Sequence, residues 1–300
     1  MRSLLTLLAF VSLSCAQTPD FRVLKDQDYT GAKNERQMLD LYLPKEKPAK
    51  PLPLVVYIHG GGWEGGAKQP PGVLLHFIRE SRYIGASLNY RLTNEASWPA
   101  QIHDVKAAIR WLRGHAAEHG IDKERIAVFG ISAGGHLVSL LGTSGGVKEL
   151  EGDLGDFDRE SSRVSCVLDF CGPSNFLTFY GKGSIIKADD PQSAIAKLLG
   201  GPLSQRMDAG RAASPVNYVT KDDPPFLLIH GTADNLVPYA QATEFDAALE
   251  KAGVSSTLIT GTDAPHVFFT PELVQIMGDF IDKHLSGKDV TITEKAISPK

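Results

Sequence analysis

The sequence predicts an α/β fold, a mostly parallel sheet with helices on both faces. Two observations carry that expectation. Short apolar runs alternate along the chain with longer stretches whose apolar residues recur every three or four positions, and strands alternating with helices build parallel crossovers. The clearest run, Leu54 to Ile58, is apolar at every position, as a strand covered on both faces must be.

The elements follow in chain order. Residues 1–16 read as a cleaved secretory signal outside the fold: Arg2 supplies a positive start, Leu4 to Leu13 a short apolar run, and Ser14-Cys15-Ala16 a small-x-small cleavage site before Gln17. An apolar run of about ten residues is half of the ~20 needed to span a bilayer. Cysteine at the cleavage point also raises lipid anchoring at Cys15, but Ser12-Leu13-Ser14 fits that signal poorly. Secretion or periplasmic export is the expectation, with residues 17–300 forming one domain. Gln37 to Leu43 reads as a strand, Pro44 to Pro53 as a Pro/Lys-rich turn, and Leu54 to Ile58 and Tyr83 to Leu88 as strands. Ile102, Val105, Ile109 and Leu112 mark an amphipathic helix over Pro99 to Glu118, with Gly120 at its C-terminal end. Arg125 to Gly130 reads as a strand and Gly134 to Leu141 as an apolar helix. Val164 to Phe170, Phe226 to His230 and Ser256 to Thr260 continue the strands, and Ala240 to Ala252 and Glu272 to Leu285 the helices. Between them, residues 172–215 are Gly/Ser/Lys-rich and weakly periodic, a cap-like insertion with one helix near Ser193 to Leu199. Residues 287–300 read as a polar tail.

Composition narrows the function classes. With 42% hydrophobic and 22% charged residues the chain is ordinary globular material, which excludes disorder and coiled coil. At 300 residues it can bury a core without disulfides or metals. The net charge is 31 − 35 = −4 and no Lys/Arg run occurs, so nucleic acid is not an expected partner. Cys166 and Cys171 lie five apart along one run, an odd offset that places them on opposite faces, and they read as two buried free thiols. Neither zinc-like Cys/His spacing nor His-Glu-x-x-His occurs.

Two motifs carry the chemistry. Gly130-Ile131-Ser132-Ala133-Gly134-Gly135 joins a strand to a helix, the context of a nucleophile elbow. Its glycines keep neighbours clear of a serine in strained backbone, and the following helix N-terminus favours a developing anion. His59-Gly60-Gly61-Gly62-Trp63 follows the Leu54 to Ile58 strand. Main-chain N–H groups of Gly61 and Gly62, joined by that of Ala133, would cradle the oxyanion of an acyl-transfer intermediate. The overlapping Gly60-Gly61-Gly62-Trp63-Glu64-Gly65 also fits a dinucleotide fingerprint. The next strand ends in Asn89-Tyr90-Arg91 instead of an acidic residue, so that reading fails.

A serine nucleophile needs a base, and the base an orienting acid. Asp234 stands on the loop after Phe226 to His230, and His266 on the loop after Ser256 to Thr260, both at the sheet edge that carries Ser132. Their chain order, Ser132 then Asp234 then His266, is that of a hydrolase elbow. His59 reads as a buttress of the glycine loop, His136 as a packed helix residue and His230 as support for the Asp234 loop. Asp104 complements the start of its helix. Phe176, Phe179 and Tyr180 either line an acyl pocket or pack the cap; with Trp63 they form the candidate substrate-binding wall.

These segments, with Trp98 to Trp111, Ala213 to Val219 and Asp223 to Asp234, resemble the α/β-hydrolase superfamily. Within it the likeness is to hormone-sensitive-lipase-like esterases, and more narrowly to bacterial bifunctional feruloyl/acetylxylan esterases. The resemblance runs from about residue 35 to 285. It implies hydrolysis of small acyl esters on plant polysaccharide by Ser132, Asp234 and His266, without metal or cofactor. An arylformamidase- or peptidase-like hydrolase on the same residues, and a binding protein that has lost the chemistry, are the alternatives.

Overall fold

The computed structural model describes residues 21–79, 82–179 and 184–299. The expected signal at 1–16 and the pocket residue Tyr180 lie outside them. In chain order the elements begin with strands β1 (Phe21–Asp28), β2 (Met38–Pro44) and β3 (Leu52–Ile58), helix α1 (Gly72–Ile78) and strand β4 (Ile84–Leu88). Helices α2 (Ala100–Gly114) and α3 (Ala116–His119), strand β5 (Ile121–Ile131), helices α4 (Ala133–Thr143) and α5 (Lys148–Glu151) and strand β6 (Cys166–Phe170) follow. Helices α6 (Ala194–Leu199) and α7 (Met207–Ala212) come before strand β7 (Phe226–Gly231), helix α8 (Ala240–Ala252), strand β8 (Ser256–Gly261), helix α9 (Pro271–Ser286) and strand β9 (Lys295–Ile297). Among the described residues the strands form one sheet of order β1-β2-β4-β3-β5-β6-β7-β8-β9. Only the β1–β2 and β2–β4 pairs are antiparallel; the rest are parallel.

Strand alternation splits the apolar residues into two layers. Val55, Phe129, Leu168, Leu227 and Ile259 face α1 and α9, packing on Phe77, Met277 and Phe280. Leu54, Val56, Val128, Val167 and Leu228 face the other way, against α2, α4 and α8. β3, covered on both faces, is therefore buried and apolar at every position from Leu54 to Ile58, which is why that run carried so clear a signal.

Four details differ from the sequence reading. The helix predicted over Pro99 to Glu118 breaks at His115, whose φ of −95° and ψ of 8° end α2 and begin α3; Gly120 then caps α3 at φ 73°. α2 is also buried on its polar side. Residues 144–163 fold across it, so that Lys106 donates to the Ser144 carbonyl (2.6 Å) and to Glu151 (2.8 Å), and Arg110 to the Glu151 carbonyl (2.8 Å). Cys166 and Cys171 are free and buried as expected, but they share one layer instead of opposite faces. Cys171 lies one residue past β6 with φ 51°, and that left-handed turn cancels the odd offset. Finally, 287–300 is more than a polar tail: β9 joins β8 in parallel, with Ile297 buried.

Candidate active site

Ser132 stands between β5 and α4 at φ 58° and ψ −118°, a conformation L side chains rarely adopt. Its N–H donates to the Phe170 carbonyl at 2.7 Å and its carbonyl accepts from His136 N at 2.9 Å, which fixes the turn from both sides. The flanking glycines are steric requirements. A Cβ on Gly130 would overlap the Gly134 carbonyl, and one on Gly134 would overlap the Ile58 carbonyl. On the facing loop, a Cβ on Gly60 would come within 2.7 Å of the Ile131 oxygen.

Asp234 is buried in the loop after β7. His266 Nδ1–H donates to its Oδ2 at 2.6 Å, and His230 Nε2–H reaches the same oxygen at 3.0 Å while also donating to the Val237 carbonyl at 2.9 Å. The N–H groups of Leu236 (2.8 Å) and Val237 (3.0 Å) hold Oδ1. Burial alone would raise this carboxyl's pKa; the donors from His230, His266 and Leu236 outweigh it and hold the group well below the usual carboxylate range. An ionised Asp234 accepts only, so a proton sits on Nδ1 of His266, and in the neutral ring Nε2 is the nitrogen that carries the lone pair.

Ser132 and His266 line one cavity of about 380 Å³. The last link of the expected chain is open: among the described residues no hydrogen bond joins the Ser132 hydroxyl to His266, whose Nε2 lies 3.8 Å from the Cys171 sulfur. Apo enzymes often show such loose contacts, which tighten once substrate is bound. The expected anion cradle sits at the same place. Gly61 and Gly62, at φ 111° and 61°, line the cavity with Ala133. Among the described residues the N–H groups of Gly61 and Gly62 donate to no protein acceptor. Ala133 opens α4, where a helix leaves its first N–H groups unpaired.

Of the aromatic wall, Trp63 and Phe179 line the cavity and Phe176 does not. Phe176 is fully buried, against Trp63 (ring centroids 5.8 Å) and His136 (5.1 Å), and so buttresses the wall from behind. The remaining lining is aliphatic. Ile186 and Ile195 from the 172–215 segment, and Leu236 and Val237 beside Asp234, were missed because short aliphatic stretches in a loop or a six-residue helix do not show which side chains face a cavity.

The supporting residues are packed as anticipated. His59 stacks on Tyr90 (centroids 4.3 Å), its Nδ1 lies 2.7 Å from the Gly60 carbonyl, and burial lowers its pKa to about 4. His136 lies 2.7 Å from the Ala213 carbonyl through Nε2, and burial likewise lowers its pKa to about 4. Asp169 takes the Ser139 hydroxyl (2.6 Å) and Gly172 N–H (2.9 Å). Asp104 does not complement a helix start, since it lies beyond the first turn of α2; its buried carboxylate instead clamps Arg91 (2.7 Å) and accepts from Gln37 (2.8 Å). No helix among the described residues is long and apolar enough to cross a membrane.

Comparison with known proteins agrees with this architecture. Esterase LipC of Mycobacterium tuberculosis H37Rv is 32% identical over 216 residues, 70% of this chain and 51% of its own length. The chain spans about half the length of the curated relatives it matches. Among solved structures, a truncated carbohydrate esterase from gut microbiota superposes with a TM-score of 0.82 at 31% identity, over 89% of this chain and 98% of the other. An acetyl ester-xyloside bifunctional hydrolase from Caldicellulosiruptor lactoaceticus gives 0.68 at 26% identity, over 82% and 88%. The fold is that of α/β-hydrolase esterases. The BD-FAE family matches residues 39–249, and this chain belongs to it.

Proposed function

We propose that the protein is a serine carboxylic ester hydrolase that removes acetyl or feruloyl groups from plant polysaccharide through an acyl-serine intermediate. One observation carries the reading. Ser132, on a strained turn, shares a cavity with His266, and the ring of His266 is fixed to a buried, ionised Asp234. His266 Nε2 takes the Ser132 proton as the hydroxyl oxygen attacks the ester carbonyl. Charge then develops on the carbonyl oxygen, where N–H groups of Gly61, Gly62 and Ala133 meet it; one such donor is worth about 3 kcal/mol. His266 returns its proton to the departing sugar alcohol. Water activated by the same nitrogen then releases the acid and frees Ser132.

The apolar wall of Trp63, Phe179, Ile186 and Ile195 suits an acyl group, and its lack of charged residues leaves the sugar outside. The carbohydrate-ester names of the structural neighbours support that substrate class. The export reading of residues 1–16 supports it too, since it would deliver the enzyme to polymer outside the cell. Nitrophenyl acetate, methyl ferulate and acetylated xylan test the proposal. The unaltered enzyme turns over at least one, and Ser132→Ala loses about 10⁶ in kcat. Undiminished turnover in that variant refutes the assignment.

A further inference from the structure

His266 Nε2 has a second neighbour besides the cavity. Cys171 Sγ lies 3.8 Å away, and Cys171, Asp234 and His266 bring donor atoms within 4.8 Å of one another. Main chain holds the cysteine there: its N–H donates to the Ile229 carbonyl at 2.8 Å, and its left-handed φ of 51° departs from the alternation of β6.

We propose that Cys171 Sγ and His266 Nε2 form a two-point site for a soft divalent cation, Zn²⁺ or Cd²⁺, and that an ion bound there silences the esterase. The silencing clause rests on the proposed role of His266 as base; the site itself does not. The span fits: a zinc ion about 2.3 Å from sulfur and about 2.1 Å from imidazole nitrogen separates the two by roughly 3.6 Å at a tetrahedral angle, and by about 3.8 Å when that angle opens toward trigonal.

His266 is already oriented as a ligand. Its Nδ1–H is committed to Asp234, the carboxylate–histidine arrangement that aims the other nitrogen at a metal. Asp234 is an orienting partner here and not a third ligand, because His266, His230, Leu236 and Val237 already occupy its two oxygens. Water from the cavity that His266 lines completes the coordination. On binding, the S–H bond breaks, its proton leaves to solvent and a metal–sulfur bond forms; the Nε2 lone pair becomes the metal–nitrogen bond and nothing is oxidised. Burial and the Asp234 charge disfavour a bare thiolate at Cys171, and a divalent cation reverses that balance. With its lone pair engaged, His266 has nothing with which to take the Ser132 proton.

The test titrates the full chain, carrying Cys15→Ala so that Cys166 and Cys171 are its two thiols, with Cd²⁺. It reads the ultraviolet thiolate-to-cadmium absorption alongside ester hydrolysis. Band and inhibition are expected to rise together and to reverse with chelator. Adding Cys171→Ala should abolish the band and raise the half-inhibiting concentration at least about tenfold, the usual scale for losing a metal-site partner. Cys171→Leu serves if the alanine variant fails to fold, and Cys166→Ala should keep the band. A band that survives in Cys171→Ala, that is missing in the parent chain, or inhibition of Cys171→Ala at the parent concentration overturns the site. A parent chain that binds Cd²⁺ through Cys171 yet hydrolyses no ester upholds the site and refutes the esterase reading instead.

Discussion

At Ser132 the backbone holds a conformation that costs on the order of 1–3 kcal/mol, and it persists because Phe170, His136 and the two flanking glycines leave the turn no alternative. Gly134→Ala tests this without touching a reacting group. The new methyl overlaps the Ile58 carbonyl, so either the elbow or the end of β3 must move. A shift near 1 Å at reacting atoms costs about 10²-fold, so kcat/KM on nitrophenyl acetate should fall by roughly that factor. Activity within twofold of the unaltered enzyme would show that the elbow tolerates displacement. His59 and His136 make a second prediction. Their pKa values fall from 6.5 in the unfolded chain to about 4 when folded, so between those values the unfolded chain takes up protons that the folded one refuses. Stability is therefore complete above pH 6.5 and declines as pH falls toward 4, by roughly 3 kcal/mol per histidine across the window. Urea midpoints measured from pH 7 to 5 should drop, and His136→Gln should drop less steeply. An identical slope would remove His136 from the account. Of the residues involved, Ser132, Asp234 and His266 were legible because each follows a strand that can be seen. Phe176 and Cys171 were not: an aromatic ring has the same letter whether it lines a cavity or props up the wall behind it, and a positive φ at a cysteine leaves no trace in sequence.

Among the elements, α2 shows how a helix can be legible in its period and misread in its surroundings. Its apolar face matched the spacing, but Lys106 and Arg110 are buried too, held by Glu151 from the segment that crosses them. Glu151→Gln leaves two buried cations short of their counter-charge. Fully buried pairs cost about 3–5 kcal/mol to break this way; with Glu151 a quarter exposed, about 2–3 kcal/mol is expected. Lys106→Met, which removes a buried cation and leaves Glu151 paired with Arg110, should cost less than Glu151→Gln. Urea unfolding of the two variants decides the order, and the reverse order would mean that packing around Lys106 outweighs its charge. The same logic explains which elements were missed. Strand β1 is an edge strand with a polar face, α1 and α7 have seven and six residues, and β9 has three. The two helices and β9 are too short to show a period and β1 lacks an apolar alternation, whereas α8 and α9, at 13 and 16 residues, matched to within one residue.

Across the whole molecule, the site depends on how separate loops are tied at one end of the sheet. The Asp234 and His266 loops are joined through main chain: Thr232 N donates to the Gly261 carbonyl (2.8 Å) and Ala233 N to the Ala264 carbonyl (2.9 Å). A Cβ on Gly231 would overlap the Ala264 carbonyl, so the loops approach as closely as backbones can. Strand β9 supports this pair from the outer edge. It lies parallel to β8, buries Ile297, and accepts Thr262 N–H at the Ile297 carbonyl (2.8 Å), four residues before His266. Residues after Gly287 are thus coupled to the proposed base although far from it in function by sequence alone. A chain ended at Gly287 keeps every strand from β1 to β8 and both apolar layers apart from Ile297 and the partly buried Ile292, so it should fold. Its freed β8 edge should loosen the His266 loop and lower kcat by about tenfold with little change in KM, since the cavity wall outside that loop is untouched and a displaced base affects the chemical step. Ile297→Asp should reproduce the loss in the intact chain, because a buried carboxylate cannot stay in that strand position. Steady-state kinetics with thermal melting in parallel separate the outcomes. A fall in kcat well below the melting temperature places β9 in support of the base, whereas unchanged kinetics would mean that the backbone ties between the Asp234 and His266 loops hold His266 unaided.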